Sequence, residues 1–326
     1  MDNGQSSARK TAAAPTEGAS RLLVIVNPAT RRSADAILSV LRRHCPGDVV
    51  LDVFVTPAPL TALELTRSHL SGADVVVAVG GDGTVGEVAS ALVGTGIPLA
   101  IIPAGSTNII AQELGIPRHP GRAARLLFGS HRTRHIDVGR AGSRCFLHMA
   151  GAGLDSRMFA LANPGLKRRF GWLAYIPAGG RALFQEPVRF TLEIDGETIV
   201  VIARLVLIAN GGSVISPRLR LMSRLRTDDG WLDVLIFSAT SALPMARTLA
   251  RMVTRRLDRS PYVLHRPARI VRLGSDPPIP VQLDGDVATT TPVTFEILPA
   301  ALRVIVPARG KASGDDARGN PRPPVR

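Results

Sequence analysis

Aromatic side chains make up only 4% of this chain, so Leu, Val, Ile and Ala must do the packing of any core it builds. Cysteine is nearly absent. Cys45 and Cys145 supply neither a disulfide framework nor a metal-ligand cluster, and two buried thiols in a reducing compartment are expected. The opening residues, MDNGQSSARKTAAAPTEG, lack an apolar segment, so no secretory signal is expected. No stretch reaches the roughly 18 uncharged apolar residues that a bilayer-spanning helix needs. The longest candidate, Ile199 to Ala209, is too short and contains Arg204. No GxxxxGKS or GxxxxGKT loop occurs, which excludes a Walker A site. No aromatic-basic stacking platform for nucleic acid is visible, and no internal repeat.

What is present is positive charge and aliphatic residues. The net charge is +14, with Arg far outnumbering Lys. That favours an anionic partner (nucleic acid, an acidic membrane surface or a phosphorylated small molecule), unless it merely reflects a generally basic composition. A hydrophobic fraction of 45% over 326 residues is ample for two packed cores. At about 100–200 residues per domain, the length also favours two domains.

Residues 1–20 and 308–326 are poor in large apolar residues and read as disordered tails. Between them, the first half alternates strand and helix signals. Leu22–Val26, Val49–Val55, Asp74–Val79 and Pro98–Ile102 read as strands. Leu60–Leu70, Val85–Leu92, Asn108–Leu114 and Arg122–Phe128 read as helices, and another starts at a Ser33 N-cap. Asp74–Val79 is apolar throughout after its first residue, as in a strand buried on both faces of a parallel sheet. From about Ile136 strand-like runs dominate: Val138–Arg140, Cys145–Ala150, Val188–Ile194, Thr198–Ala209, Leu232–Phe237, Ile270–Leu273, Pro280–Leu283, Val293–Leu298 and Leu302–Val306. Helical patterns at Trp172–Leu183 and Leu243–Leu257 interrupt them. The expected architecture is an α/β domain with a parallel sheet over 21–137, then a β-rich, β-sandwich-like domain over 138–307, its last strand free to return to the first domain.

The sharpest local feature is Gly80-Gly81-Asp82-Gly83-Thr84, placed between a buried strand and a helix. Backbone N–H groups at such a junction form an anion site with the helix N-terminus, and glycine lets a phosphate approach the main chain. A tight loop that binds nothing is the plainer alternative. Gly81, Gly83 and Gly86 also spell GxGxxG. A dinucleotide fold, however, needs an acidic residue at the end of the next strand, and Pro98–Ile102 ends in Pro103-Ala104-Gly105. Asp82 suits orienting a metal ion or a terminal phosphate, or capping the helix that follows. Ser106, Thr107 and Asn108 open a helix after a glycine, where capping and ligand contact both remain open. Asp284-Gly285-Asp286 follows a buried strand. A carboxylate there suits removal of a hydroxyl proton, although Asp-Gly alone is most often just a hairpin turn, the reading given to Asp195-Gly196. His148 reads as a satisfied strand histidine.

Four segments, in order, resemble one family. VAVGGDGTVGEVASAL resembles the nucleotide motif of the diacylglycerol kinase catalytic-domain family, which includes bacterial lipid kinases and sphingosine kinases. VNPAT (Val26–Thr30) resembles its opening phosphate loop, IPAGSTNIIAQELGIP (Ile102–Pro117) its third motif, and LDGDVATTTP (Leu283–Pro292) its C-terminal D-G-E segment. Two residues depart from the pattern: Ile109 stands where the family often has Asp, and Asp286 where it has Glu. The resemblance runs from Leu22 to Val306 and implies a nucleotide-binding first domain like those of NAD kinases and phosphofructokinases. The implied activity is lipid phosphorylation with ATP and Mg²⁺. Implied nucleotide contacts are Asn27, Pro28, Ala29, Thr30, Arg31, Thr56, Gly80, Gly81, Asp82, Gly83, Thr84, Val85, Gly86, Ser106, Thr107 and Asn108. Implied catalytic residues are Asp284, Asp286 and Asp82, and Asp155 is the implied contact for the acceptor lipid. A structural Mg²⁺ is implied at Asp229 with Trp231 and Arg226.

The implied acceptor is diacylglycerol, or a sphingoid or related lipid alcohol. The expected location is cytoplasmic, with peripheral docking on the inner face of an anionic membrane, no nucleic-acid partner, and room for a homodimer. Leu243–Leu257 places Leu249, Met252, Val253 and Leu257 near one face, with Arg247, Arg251, Arg255 and Arg256 over much of the rest. A membrane-surface helix reads this way, and so does a core-packed helix with a solvated arginine face. Lys167–Trp172 adds a basic-aromatic cluster. Two other readings remain: a soluble NAD kinase-like enzyme, opposed by the Asn27-Pro28 loop and Ser106–Asn108, and a non-catalytic nucleotide-binding regulator, which the shortened Asp286 keeps open.

Overall fold

The computed structural model describes residues 21–30, 33–154, 156, 186–216, 219–222 and 224–308. Arg31, Asp155, the Lys167–Trp172 cluster, the Trp172–Leu183 pattern and, but for Ala308, both expected tails lie outside the described residues.

The chain begins with β1 (Arg21–Val26), α1 (Ala34–His44), β2 (Val50–Val55), α2 (Ala62–His69), β3 (Val75–Gly80), α3 (Asp82–Leu92) and β4 (Leu99–Pro103), followed by α4 (Ile109–Glu113) and α5 (Pro120–Phe128). The four strands are parallel and lie in the order β2-β1-β3-β4. Every residue of β3 and β4 is buried, which is why their sequences are continuously apolar rather than alternating. One apolar cluster joins these strands to Ile37, Leu38 and Leu41 of α1, Val85, Val88 and Leu92 of α3, and Leu127 of α5. α3 starts earlier than its apolar pattern suggests. Gly81 takes an extended N-cap conformation, and the Val85 N–H closes the first turn on the Gly81 carbonyl at 3.0 Å.

The second half is antiparallel. It comprises β5 (His131–Ala141), β6 (Arg144–Phe146), β7 (Met149–Gly153), β8 (Val188–Ile194), β9 (Glu197–Ala203), β10 (Leu205–Ala209), β11 (Ser213–Ser216), β12 (Leu219–Arg220), β13 (Leu232–Phe237), α6 (Ala242–Val253), β14 (Val263–Ala268), β15 (Ile270–Asp276), β16 (Pro280–Leu283), β17 (Asp286–Thr290) and β18 (Val293–Pro307). A six-stranded sheet runs β14-β13-β10-β7-β16-β17. The strands β18, β15, β8 and β9 instead extend the first sheet, so that ten strands form one surface, with β5 pairing β18 and β6. The long β18 makes this possible. It is antiparallel to β15 at its start and to β5 along most of its length, and parallel to β4 near its end. Phe190 and Leu192 of β8 meet Val206, Ile208, Val234 and Ile236 of the other sheet in a second cluster. The alternating burial of β8 follows from having one face in this sandwich and one in solvent.

Several sequence expectations need correcting. The run Thr198–Ala209 is two strands in different sheets, with the change at Arg204. Cys145–Ala150 divides at Leu147-His148, whose N–H groups bind a carboxylate instead of a strand. Val293–Leu298 and Leu302–Val306 are one strand with an irregularity between them. There Ala300 adopts φ 50 and gives its N–H to the Asp137 carboxylate at 2.8 Å. α6 stops at Val253. Its expected apolar face does not hold as a face, because Leu257 is fully buried beyond the helix end and Met252 packs inward, while Val253 is 67% exposed.

Candidate active site

Asn27, Thr56 and Ala104 directly follow β1, β2 and β4, and Gly80 ends β3, at the carboxyl ends where an open α/β sheet places its ligands. Asn27 ties two of these loops together. Its Nδ2 donates to the Thr84 hydroxyl at 3.0 Å, and its Oδ1 accepts the Ala29 N–H at 2.9 Å. Pro28 and Ala29 are exposed beside it, and Thr30 is partly exposed. Thr56 is buried, with its N–H on the Val26 carbonyl at 2.9 Å.

Glycine is required here by close approach. A Cβ on Gly80 would sit 2.6 Å from the Thr84 side chain, and one on Gly105 would sit 2.6 Å from the Gly81 Cα. The loops after β3 and β4 therefore meet backbone to backbone. Gly83, Thr84, Val85 and Gly86 form the first turns of α3, whose N-terminal N–H groups have no partner within the helix.

Asp82 does not cap its own helix. It is the first residue of α3, and its carboxylate reaches across to α4, accepting the Thr107 hydroxyl at 2.9 Å and the Ile110 N–H at 3.1 Å. Asn108 stands at the N-cap position of α4 without capping it. It holds φ 48, and its amide grips Gly105 twice, accepting from the N–H and donating to the carbonyl, each at 2.9 Å. The carboxylate of Asp82 thus replaces the cap that Asn108 does not supply. A cleft of about 450 Å³ opens beside these residues, lined by Pro103, Ala104, Gly105, Ser106, Asn108, Arg118 and His119. Arg118 and His119 were not singled out from the sequence. The only signal for them is their place directly after the third motif.

Asp284 and Asp286 come to the same place from the other sheet. Asp284 sits in the β16–β17 turn at φ 48, and its carboxylate accepts the N–H groups of Leu147 (2.7 Å), His148 (2.9 Å) and Met149 (3.0 Å). A Cβ on Gly83 would lie 3.3 Å from Asp286 Oδ2, and one on Gly86 would lie 3.8 Å from Asp284 Oδ2. Both carboxylates therefore rest on the glycine face of α3. As a residue Asp284 is only partly buried, but its carboxyl is enclosed. Burial pushes its pKa up, against the three N–H donors and nearby His148, which pull it down. Glu87, one turn along α3, is also pushed up by burial and by the Asp286 charge, although its carboxylate caps α2 through the Ala62 N–H at 2.8 Å. His148 is buried, and its Nε2 has no hydrogen-bond partner among the described residues.

The residues expected around a structural Mg²⁺ lie apart from this cluster. Asp229 Oδ1 accepts the Trp231 N–H at 3.2 Å across the turn before β13, so that carboxylate and main chain share one bend. The Arg226 guanidinium turns to Asp228 at 3.1 Å. Asp228 is buried enough to raise its pKa, but its bonds to Arg226 and Arg134 overcome this and hold it below the usual range. Asp137 anchors the bend by accepting the Gly230 N–H at 2.7 Å. One carboxylate plus main-chain oxygens suits Mg²⁺, a hard cation that retains waters. Among the described residues no group of three His, Cys, Asp or Glu is gathered for a metal.

Residues 21–141 match the diacylglycerol kinase catalytic domain, and residues 148–306 match the YegS C-terminal NAD kinase beta sandwich-like domain. A protein of Pseudomonas putida named "Probable lipid kinase YegS-like" is 31% identical over 82% of this chain and 90% of its own length. An uncharacterized protein of Synechocystis sp. is 31% identical over 87% of this chain and 70% of its own. The fold is similar to a crystal structure from Bacillus anthracis str. Sterne whose name gives diacylglycerol kinase as a provisional assignment. The TM-score is 0.74 at 24% identity, covering 89% of this chain and 98% of that one.

Proposed function

Because this chain belongs to the diacylglycerol kinase catalytic-domain family, we propose that it is an ATP-dependent lipid kinase that phosphorylates the hydroxyl of a membrane lipid. The acceptor class is diacylglycerol or a sphingoid or related lipid alcohol. The observation that carries this reading is the seating of Asp284 and Asp286 on Gly83 and Gly86, in the first turns of the helix that begins with the glycine loop.

The chemistry follows from the parts. The first N–H groups of α3 and the loop after β1 hold the phosphates, where glycine leaves the main chain open. Asn27 fixes the β1 loop against Thr84. Asp82 braces α4, and so the Ser106–Asn108 loop, against the same helix end. Asp284 takes the proton from the acceptor hydroxyl as its oxygen bonds to the γ-phosphorus and the bond from that phosphorus to the departing ADP oxygen breaks. The raised pKa suits this role, since a base closer to neutrality holds the proton better once it is transferred. Bound Mg²⁺ supplies neutralisation of the phosphate charge. The three N–H groups on Asp284 fix its orientation before the acceptor arrives.

The test is incubation with ATP radiolabelled at the γ-phosphate, Mg²⁺, NAD and a panel of lipids in mixed vesicles. Label in the lipid phase from a diacylglycerol or sphingoid base is expected. Label appearing only in inorganic phosphate, or on NAD, would replace this reading with another.

A further inference from the structure

The outer face of α6 is the feature that the site does not absorb. The helix is held inward by Met245 and Thr248, both buried, and by Met252, against a third apolar cluster that includes Leu221, Leu235, Phe237 and Leu257. Its outward stripe is Leu243, Ala246, Ala250 and Val253, all exposed, with Leu243 at 61% and Val253 at 67%. Their spacing of three, four and three residues places them along one side of the helix. Arg247 shares that side and is exposed, Arg251 is only partly exposed, and Arg255 and Arg256 follow at the exposed end. No Asp or Glu occurs from Ser238 to Leu257.

An exposed helix usually turns its charges outward and its apolar residues inward. Here apolar residues occupy both sides, and the outer ones are set among arginines. A stripe of this kind marks a contact surface. A second copy of the chain is a poor occupant, because a two-fold contact would set this arginine-rich stripe against itself without an acidic partner in the segment. Nucleic acid would satisfy the arginines but not Leu243 and Val253. An anionic bilayer satisfies both, taking apolar side chains below the headgroups and arginines among them.

We propose that α6 docks the protein on an anionic membrane surface through Leu243, Ala246, Ala250 and Val253, with Arg247, Arg251, Arg255 and Arg256 at the headgroups. The lipid-kinase reading supplies the purpose of docking, but the docking rests on the helix itself. α6 packs on β12, and the β11–β12 hairpin is gripped by Glu113 of α4, which accepts the Ser213 N–H at 3.2 Å and bonds Arg220 at 3.4 Å. The docking helix is thus two contacts from the loop that Asp82 braces, and membrane attachment brings the site to the acceptor.

The experiment is co-sedimentation of the full chain with phosphatidylcholine vesicles and with vesicles that also contain phosphatidylglycerol. Binding only to the mixed vesicles is expected, with loss as the Debye length falls from about 10 Å at 0.1 M salt to about 3 Å at 1 M. Changing the four arginines to Gln lowers binding by up to about 1,000-fold. Leu243→Gln with Val253→Gln, at positions already in solvent, lowers it about 10-fold with an unchanged melting temperature. Equal binding to both vesicle types, or unchanged binding by both variants, overturns the proposal. So does a concentration-dependent dimer of the wild type that the Leu243/Val253 variant loses, which assigns the stripe to a second copy. Phosphorylation of a detergent-dispersed lipid by the arginine variant, at the wild-type rate, keeps the docking result separate from the kinase reading.

Discussion

Two Asp-Gly turns of this molecule are nearly the same object. Asp195-Gly196 joins β8 to β9 with φ 47 and 93, and Asp284-Gly285 joins β16 to β17 with φ 48 and 94. Both are two-residue hairpin loops with positive φ at both positions, the preference of Asp-Gly. In each, the Asp N–H reaches a neighbouring strand, at the Ile270 carbonyl (3.0 Å) or the Met149 carbonyl (2.9 Å). In each, the carboxylate caps the start of that strand, at the Arg269 and Ile270 N–H groups in one turn and at Leu147, His148 and Met149 in the other. What differs is the far side. Asp195 faces solvent, while Asp284 faces Gly86 of α3. The hairpin reading and the catalytic reading of Asp284 are therefore compatible, and only the surroundings separate a structural carboxylate from a candidate base.

The largest expected effect comes from breaking that difference. Asp284→Asn should lower lipid phosphorylation by about 10²–10⁴-fold with ATP binding nearly unchanged, the range usual for a general base. Asp195→Asn should leave the rate at wild type. Equal losses in the two variants, measured with the same lipid and corrected for folded fraction, would make both turns merely structural.

Next comes the surface on which the carboxylates rest. Gly83→Val puts a branched side chain where even a Cβ lies 3.3 Å from Asp286 Oδ2. ATP binding, followed by calorimetry, should fall below detection in a protein that still melts cooperatively. Retained ATP affinity would move the nucleotide elsewhere. Asp286→Glu adds one methylene on the same side and should stay active.

pH should sharpen the contrast further. Burial raises the Asp284 carboxyl above the ordinary value of about 3.9. Because the base works ionised, the rate should rise with pH through this raised value, with its acidic limb above the ordinary carboxylate range. The stability sign runs the other way. A carboxyl raised in the folded state favours folding fully below its unfolded pKa, and that contribution is lost as pH rises through the folded pKa. Wild type should therefore lose stability relative to Asp284→Asn over that window. A flat difference in melting temperature across it would remove the burial argument.

The smallest effect is at the exposed turn. Asp195→Asn removes charge from two backbone hydrogen bonds at a solvated turn and should cost about 1 kcal/mol in chemical denaturation. A cost of several kcal/mol would mean that capping β15 matters more than its exposure implies.

Much of the first domain was legible because its strands are buried on both faces and therefore continuously apolar, as at Val75–Val79. The glycine loop was legible for a related reason. Gly80 and Gly105 stand where a Cβ would collide, so the constraint is written directly in the residue. The second domain was less so. The apolar run Thr198–Ala209 conceals a change of sheet, and β17 reads Asp-Val-Ala-Thr-Thr, with most residues exposed and no clear period. The role of Asp82 was also hidden, since it bonds a loop that the sequence alone does not bring near, and that of Asn108 because its left-handed backbone turns the amide back onto Gly105 instead of onto the helix. Arg118 and His119 match no ligand-binding pattern and enter as the lining of a cleft, although His119 also caps α5 by accepting the Gly121 N–H at 3.2 Å.

The sequence by itself determined the order of strands and helices in the parallel half, the glycine loop between β3 and α3, and the tight turns at Asp195-Gly196 and Asp284-Gly285. These follow from φ preferences, side-chain size and apolar pattern, which depend on a residue and its near neighbours. Tertiary structure decided which Asp-Gly turn meets α3, which helix Asp82 caps, and which side of α6 is left to solvent. Those depend on burial and on partners such as Leu147 and Asp284, which lie 137 residues apart in the chain. No local pattern records a contact of that range, because the packing of two sheets, not the turn itself, places the carboxylate.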